Sequence, residues 1–187
     1  MATPTTTPTN STTTTWQIDP VHSDVGFSVR HLMISTVKGR FTDVQGTLQY
    51  NETDPEKSSV DVTIGTASVD TRSDQRDTHL KSADFFDSEK YPNMTFRSTK
   101  VVRTSEGKGT VTGDLTIRGI TQSVTLDAKR EGRGKDPWGG ERMGFSATTK
   151  VNREAFGLTW NQALETGGVV VGEEVKVSIE VECVKKQ

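Results

Sequence analysis

One segment sets the organisation of this chain: Asp70–Phe96, which reads DTRSDQRDTHLKSADFFDSEKYPNMTF. The residues around it alternate between apolar and polar with a period of two, which is typical of β-strands, and this segment does not. Ser73 or Asp74 can cap a short helix. Pro92 then favours an extended backbone at the residue before it, where the next strand begins. We therefore predict a short helical segment here, between the third and the fourth strand of the chain.

The regular alternation on both sides of this segment predicts eight strands, each with one apolar face. The clearest is residues 175–183, where Val, Ile and Cys alternate with Lys, Ser and Glu. Eight such strands with short connections predict an all-β fold, an eight-stranded antiparallel barrel, because closure removes exposed sheet edges. An open sandwich is the alternative architecture.

Four small residues fall on the apolar faces of these predicted strands. If they point into a barrel, they leave a space that side chains do not fill; in a solid core, large residues opposite them would fill it. The four residues are Gly46, Gly113, Ala128 and Ala147.

The composition favours a thin-walled fold and argues against a large solid core. Of the 187 residues, 30% are hydrophobic and 26% are charged, and 17 are glycines. The net charge of −2 and the absence of a basic run with interleaved aromatic residues argue against nucleic-acid binding. We predict one domain at residues 16–187, preceded by a disordered Thr- and Pro-rich tail at residues 1–15.

The first residues of the chain also bear on where in the cell the protein is found. They lack a basic start followed by an apolar run, and no stretch of the chain is long and apolar enough to span a membrane. We expect a cytoplasmic protein, or a periplasmic or secreted one if the chain is a trimmed mature form. The sequence leaves the oligomeric state open, with a homodimer as one alternative.

The reactive residue types do not assemble into a catalytic motif. Cys183, the single cysteine, falls on an apolar strand face, which predicts a buried and inert thiol. Asp19-x-x-His22-x-Asp24 could supply metal ligands, but no second histidine pairs with His22. There is no nucleophile elbow and no phosphate-binding loop. We predict a protein that is not an enzyme and needs neither a metal nor a cofactor.

Several motifs, in this order along the chain, resemble the YceI-like family of bacterial proteins, which are lipocalin-like and bind polyisoprenoids. They are W-x-I-D-x-x-H-S-x-V-x-F-x-V-x-H-L at 16–32, R-D-x-H-L-K-S-x-D-F-F at 76–86, Y-P-x-M-x-F at 91–96, G-x-L-T-I-R-G at 113–119, N-R-x-x-F-G-L at 152–158 and V-G-x-x-V at 171–175. The resemblance implies a lipocalin-like barrel whose apolar interior holds a long isoprenoid or another amphiphilic lipid.

The residues agree with that implication, and they give a candidate ligand site. Phe85 and Phe86 are expected at one end of the barrel, with at least one of them lining its interior. Polar groups near the mouth would hold a head group, and the candidates are Arg30, Arg76 and His79. The apolar candidates for the lining are Phe27, Val29, Phe41, Leu48, Phe85, Phe86, Phe96, Leu115 and Phe145.

The leading hypothesis is a carrier that binds such a lipid for transport, storage or sequestration. A solid-cored stress or interaction protein without a ligand is one alternative. An enzyme that uses the barrel as a reaction chamber is another. An internal cavity would separate the carrier and the enzyme from the solid-cored protein, and convergent groups with perturbed pKa values inside it would separate the enzyme from the carrier.

Overall fold

The fold is a single antiparallel sheet with one α-helix among residues 13–186, which are the residues that this computed structural model describes. The elements are β1 (Thr13–Ile18), β2 (Asp24–His31), β3 (Ser35–Phe41), β4 (Val44–Asn51), β5 (Ser59–Gly65), β6 (Val69–Asp70), α1 (Asp74–Lys81), β7 (Asn93–Ser105), β8 (Lys108–Ile117), β9 (Ile120–Lys135), β10 (Glu141–Asn152) and β11 (Val171–Lys185).

Eight of these strands close into a barrel. The order around it is β1, β4, β5, β7, β8, β9, β10 and β11, and β11 returns to β1 through the pairs Trp16 with Lys185 and Ile18 with Cys183. The remaining strands, β2, β3 and β6, extend the sheet from the edge of β11. Every pair is antiparallel, so the predicted closed, eight-stranded, antiparallel barrel is confirmed.

The predicted position of the helix in the strand order was wrong: α1 comes after the sixth strand and not the third. The prediction from sequence missed three strands that precede it. In β3 the alternation is weakened by Gly39, which contributes no side chain to the apolar face. β6 has only two residues, too few to show a period, and a short 3₁₀ turn at Thr66–Ser68 separates it from β5.

The third missed strand also moves the predicted domain boundary. β1 begins at Thr13, and Thr13–Thr15 pair with residues 49–51 of β4. These threonines looked like part of a low-complexity tail, but threonine is also a favourable strand residue. The other residues of the predicted tail, 1–12, lie outside the described residues.

The helix lies where the sequence placed it along the chain. The Ser73 hydroxyl accepts a hydrogen bond from the backbone of Arg76 and caps the first turn of α1. No residue of α1 is fully buried, but Leu80 is partly buried against the hydrophobic core, and the segment on the C-terminal side of the helix anchors it further. The backbone of Phe86 donates to the Leu80 carbonyl at 2.9 Å, and the buried Phe85 precedes it. Leu80 and the two phenylalanines thus attach a polar helix to the barrel.

The two ends of the barrel differ, and we name them for what they carry. The helix end holds α1 and the turn between β8 and β9, and its buried cluster contains Phe85, Phe156 and Leu158. The hairpin end holds the β7–β8 turn and the β9–β10 loop, and its buried cluster includes Trp16, Met143 and Cys183. The predicted burial of Cys183 is confirmed, and desolvation raises the pKa of its thiol to about 12.

Candidate functional site

A cavity of about 550 Å³ runs through the inside of the barrel. Its wall is mostly apolar, because each barrel strand turns alternate side chains inward. Phe96 on β7 and Leu115 on β8, for example, are directly paired and both face the cavity. The volume lies within the roughly 300–1,000 Å³ that is usual for small-molecule sites. The interior therefore has room for an apolar ligand.

The structure places all nine of the predicted apolar residues in the cavity wall. They come from several strands and from the segment after α1, so they are far apart in the sequence. They are Phe27, Val29, Phe41, Leu48, Phe85, Phe86, Phe96, Leu115 and Phe145.

Aromatic rings close the cavity at the helix end. Phe85 is only 5% exposed, and Phe156 beside it is fully buried. Phe86 packs edge-on against Phe41, with the ring centroids 5.5 Å apart. Water therefore has little access to the interior from this end.

A buried cation, Arg153, also lies in the cavity wall at the helix end. Its guanidinium donates to the carbonyl oxygens of Gly172 at 2.8 Å, Trp160 at 3.0 Å and Val171 at 3.2 Å, and to that of Leu158. Desolvation lowers the pKa of this guanidinium, and Glu154 partly opposes that effect. The donors of Arg153 are thus engaged by the backbone, which it ties between residues 158–160 and the start of β11.

The hairpin end is polar, and the sequence analysis did not identify its charged residues. Arg103 lies in phase with Val101 along β7, and Arg130 is paired with Phe145 across β9 and β10, so both face inward. The alternation of Val124, Leu126 and Ala128 continues to Arg130 and could have revealed it. The charged wall residues at this end are Glu52, Arg103, Glu106, Lys108, Lys129 and Arg130.

The three polar residues that the sequence nominated for the head group do not line the cavity. Arg30 is exposed and donates to the Met33 carbonyl at 2.8 Å, within the β2–β3 hairpin. Arg76 donates to the Thr71 hydroxyl and carbonyl, both at 2.8 Å, and so fixes the residues before α1. Their role in holding a head group stays a prediction, and neither side chain faces the interior, because a motif does not reveal on which side of the wall its side chains point.

His79, the third of them, lies outside the wall as well. Its Nε2 is 2.8 Å from a carboxylate oxygen of Asp84, and its ring meets Phe85 and Trp160 edge-on. His79 therefore packs on the outer side of the aromatic closure at the helix end.

Of the four small residues expected to border unfilled space, only two do so. A Cβ atom on Gly113 would lie 2.5 Å from the Phe96 ring and from the Arg97 carbonyl, so the space there is filled. A Cβ atom on Gly46 would meet Ile18 at 2.7 Å. Ala128 and Ala147, which are paired with each other, do line the cavity. Large neighbours thus fill the gaps at the glycines, and the free space lies at the alanines.

A separate polar cluster at the hairpin end contains part of the motif that was considered for metal binding. Asp19 and His22 do come together, with the Asp19 oxygen 2.8 Å from His22 Nδ1, and the third member is Glu182 in place of Asp24. Arg142 donates to Asp19 at 2.9 Å and to Glu182 at 2.5 Å. A guanidinium thus already neutralises the carboxylates that a metal ion would need.

This cluster predicts how stability depends on pH. The contact with His22, and after it that with Arg142, lowers the pKa of Asp19 from 3.8 to about 2, although burial opposes the change. A carboxyl whose pKa is lower in the folded state stabilises the fold above its unfolded pKa and loses that contribution as the pH falls toward the folded value. We expect Asp19→Asn to be less stable than the wild type at neutral pH, with the difference shrinking between about pH 4 and about pH 2.

Urea unfolding at several pH values measures this difference. Asp24→Asn, a change of the same kind at an exposed residue of β2, is the matched control for the loss of one carboxylate. A stability difference for Asp19→Asn that stays constant down to about pH 2 would contradict the assignment.

Within residues 13–186, no helix is long and apolar enough to cross a membrane.

Comparisons with known proteins place this barrel in a family. The chain matches the YceI-like domain over residues 16–183. It is 42% identical to the protein YceI of Escherichia coli over 166 residues, which cover 89% of this chain and 83% of that protein.

Solved structures share the fold of this barrel. The YCEI protein of Campylobacter jejuni is 38% identical, with a TM-score of 0.73 over 90% of this chain and 96% of that one. A domain from Saccharophagus degradans, described as a polyisoprenoid binding domain implicated in plant cell wall breakdown, shares the fold with a TM-score of 0.63. It is 14% identical, and the match covers 91% of this chain and 98% of that domain.

Proposed function

The chain belongs to the YceI-like family, and from this and the apolar interior we propose that it binds a long-chain amphiphile of the polyisoprenoid type inside its barrel. The observation that carries the proposal is the cavity of about 550 Å³ with its apolar wall, closed by aromatic rings at one end and polar at the other. The description of the Saccharophagus degradans domain as polyisoprenoid-binding supports it.

The energetics of such a site favour a chain over a compact polar ligand. Each buried methylene contributes roughly 0.8 kcal/mol, so a tail that extends along the wall from one end to the other can bind strongly without any catalytic group. The nine predicted apolar residues would contact this tail. A polar ligand would lose its hydrogen bonds to water and would find few partners along the same wall.

We further propose that the ligand is held without being chemically altered. The thiol of Cys183, which lines the cavity, has its pKa raised to about 12 by burial and is protonated at neutral pH. The donors of Arg153 are engaged by carbonyl oxygens. Neither the protonated thiol of Cys183 nor the hydrogen-bonded guanidinium of Arg153 is thus available to react with a ligand. This suits a carrier that serves transport, storage or sequestration.

Native mass spectrometry of the purified protein, with subsequent organic extraction, tests this function. We expect a species heavier than the chain by the mass of one lipid, and the same lipid in the extract. A protein that emerges empty and takes up no added polyprenol would contradict the proposal and favour the ligand-free alternative. Recovery of a chemically altered lipid in excess over protein would show an enzyme.

A further inference from the structure

We propose that Arg103 and Arg130 form a subsite for the anionic head group, a phosphate or a carboxylate, of a lipid whose tail points toward Phe85 and Phe86. This inference rests on the proposed function, because it assigns an orientation and a charge to the ligand in the cavity. The subsite lies at the hairpin end, opposite the end where the sequence placed the head group.

The first step is the position of the two arginines. Both line the cavity, and they lie on β7 and β9, on either side of β8. Strands two apart in a sheet are separated by roughly 10 Å, which two long side chains can bridge around one small ligand group. Between them on β8 lies Gly109, which is paired with both Arg103 and Ala128 and places no side chain in the gap.

The second step is the availability of their donors. Arg130 Nη1 donates to the Tyr50 hydroxyl at 3.0 Å, and Arg103 Nε donates to the Ser105 carbonyl at 3.4 Å. Among residues 13–186, neither guanidinium has a carboxylate oxygen within 4.0 Å. A guanidinium carries five N–H donors in a fork that matches phosphate and carboxylate oxygens. Each arginine therefore keeps donors for a ligand.

The third step is the balance of charge at this end. Of the charged wall residues, Glu52 is paired with Arg133 at 2.7 Å and Lys129 with Glu131 at 2.6 Å. That leaves the cations Arg103, Lys108 and Arg130 in the wall with the acid Glu106, and just outside the wall Glu56 accepts a hydrogen bond from the backbone of Arg103 at 2.9 Å, so three cations face two acids. The excess positive charge lies at the rim of an apolar cavity, where an anion keeps contact with water while its tail is buried. This arrangement selects an acidic amphiphile over a neutral one.

The test compares three ligands that share one tail: farnesol, farnesyl phosphate and farnesoic acid. Calorimetric titration of the wild-type protein should show the phosphate binding about tenfold more tightly than the alcohol, with the acid between them or equal to the phosphate. In Arg103→Gln/Arg130→Gln this preference should fall to less than about twofold, with the affinity for farnesol unchanged. Preference for only one of the two anions would show whether the subsite is specific for a phosphate or for a carboxylate.

A matched variant controls for the loss of two charges. Arg40→Gln/Arg97→Gln removes the same charge at exposed residues that pair with Asp70 and Asp61, and it should keep the wild-type preference. If Arg103→Gln/Arg130→Gln fails to fold, the wild-type protein still tests the anionic subsite. Raising the salt concentration should then weaken the binding of farnesyl phosphate and leave that of farnesol unchanged.

The outcomes separate this inference from the proposed function. Equal binding of all three ligands by the wild type would overturn the anionic subsite and leave lipid binding standing. A preference for the phosphate that survives in Arg103→Gln/Arg130→Gln would also overturn the subsite. Failure of all three ligands to bind would overturn both proposals.

Discussion

Replacing Arg153 with methionine should lower the free energy of unfolding by about 3–5 kcal/mol, because buried carbonyl oxygens lose their charged donor. The guanidinium is 5% exposed and donates to four carbonyl oxygens between residues 158 and 172. Methionine fills much of the same volume but donates no hydrogen bond. For a domain of this size the melting temperature should fall by about 10 °C.

Thermal and urea unfolding measure this loss, and two variants bracket it. Arg153→Lys keeps the charge but cannot reach four carbonyl oxygens with one ammonium group, so its stability should lie between those of Arg153→Met and the wild type. Arg40→Met removes an exposed arginine and should cost less than about 1 kcal/mol. An Arg153→Met protein as stable as Arg40→Met would show that the buried guanidinium does not hold this end of the barrel together.

The parts of the fold that were predicted correctly are those for which the alternation of apolar and polar residues is enough to identify the element. Long strands such as β11 bury one face along their whole length, so alternation reveals both the strand and its inward residues. The helix was predicted for a related reason, since a polar segment with a Ser73 cap breaks that period. The apolar part of the cavity wall could be named from the same faces.

The polar part of the site could not be predicted in the same way. Arg76 and Arg30 lie in recognisable motifs, yet each donates to nearby backbone on the outside of the wall. Arg130 lies in no such motif; the alternation that ends at Ala128 does continue to it, but only its pairing with Phe145 shows that it lies at the hairpin end of the cavity. A sequence pattern indicates which residues of a strand lie on the same face. The position of a residue along the barrel axis depends on the register between strands, which only the structure gives.

The small residues illustrate the same limit for packing. Glycine and alanine on an inward face look alike in a sequence, and both suggest empty space. In the structure, Gly113 is glycine because the Phe96 ring and the Arg97 carbonyl occupy its surroundings, whereas Ala147 borders the cavity. The two positions should therefore respond to larger side chains in opposite ways.

Ala147→Phe should weaken the binding of a long-chain isoprenoid by about 100-fold or more while changing stability little. Ala147 lines the cavity beside Ala128 and Ile179, its partners on the neighbouring strands. A phenyl ring there would take the place of roughly four methylene groups of the tail, each contributing roughly 0.8 kcal/mol, and about 3 kcal/mol corresponds to a factor of about 100. Titration with farnesol and thermal unfolding measure the two effects separately.

Gly113→Ala is the matched control, and it should show the reverse pattern. Its new methyl group would meet the Arg97 carbonyl and the Phe96 ring at 2.5 Å, so the strands must shift, which typically costs about 1–3 kcal/mol. Farnesol should still bind to the folded fraction, because the cavity at Ala147 is unchanged. If Ala147→Phe instead loses stability as Gly113→Ala does and keeps its affinity, the interior is a packed core and the tail does not lie along this wall.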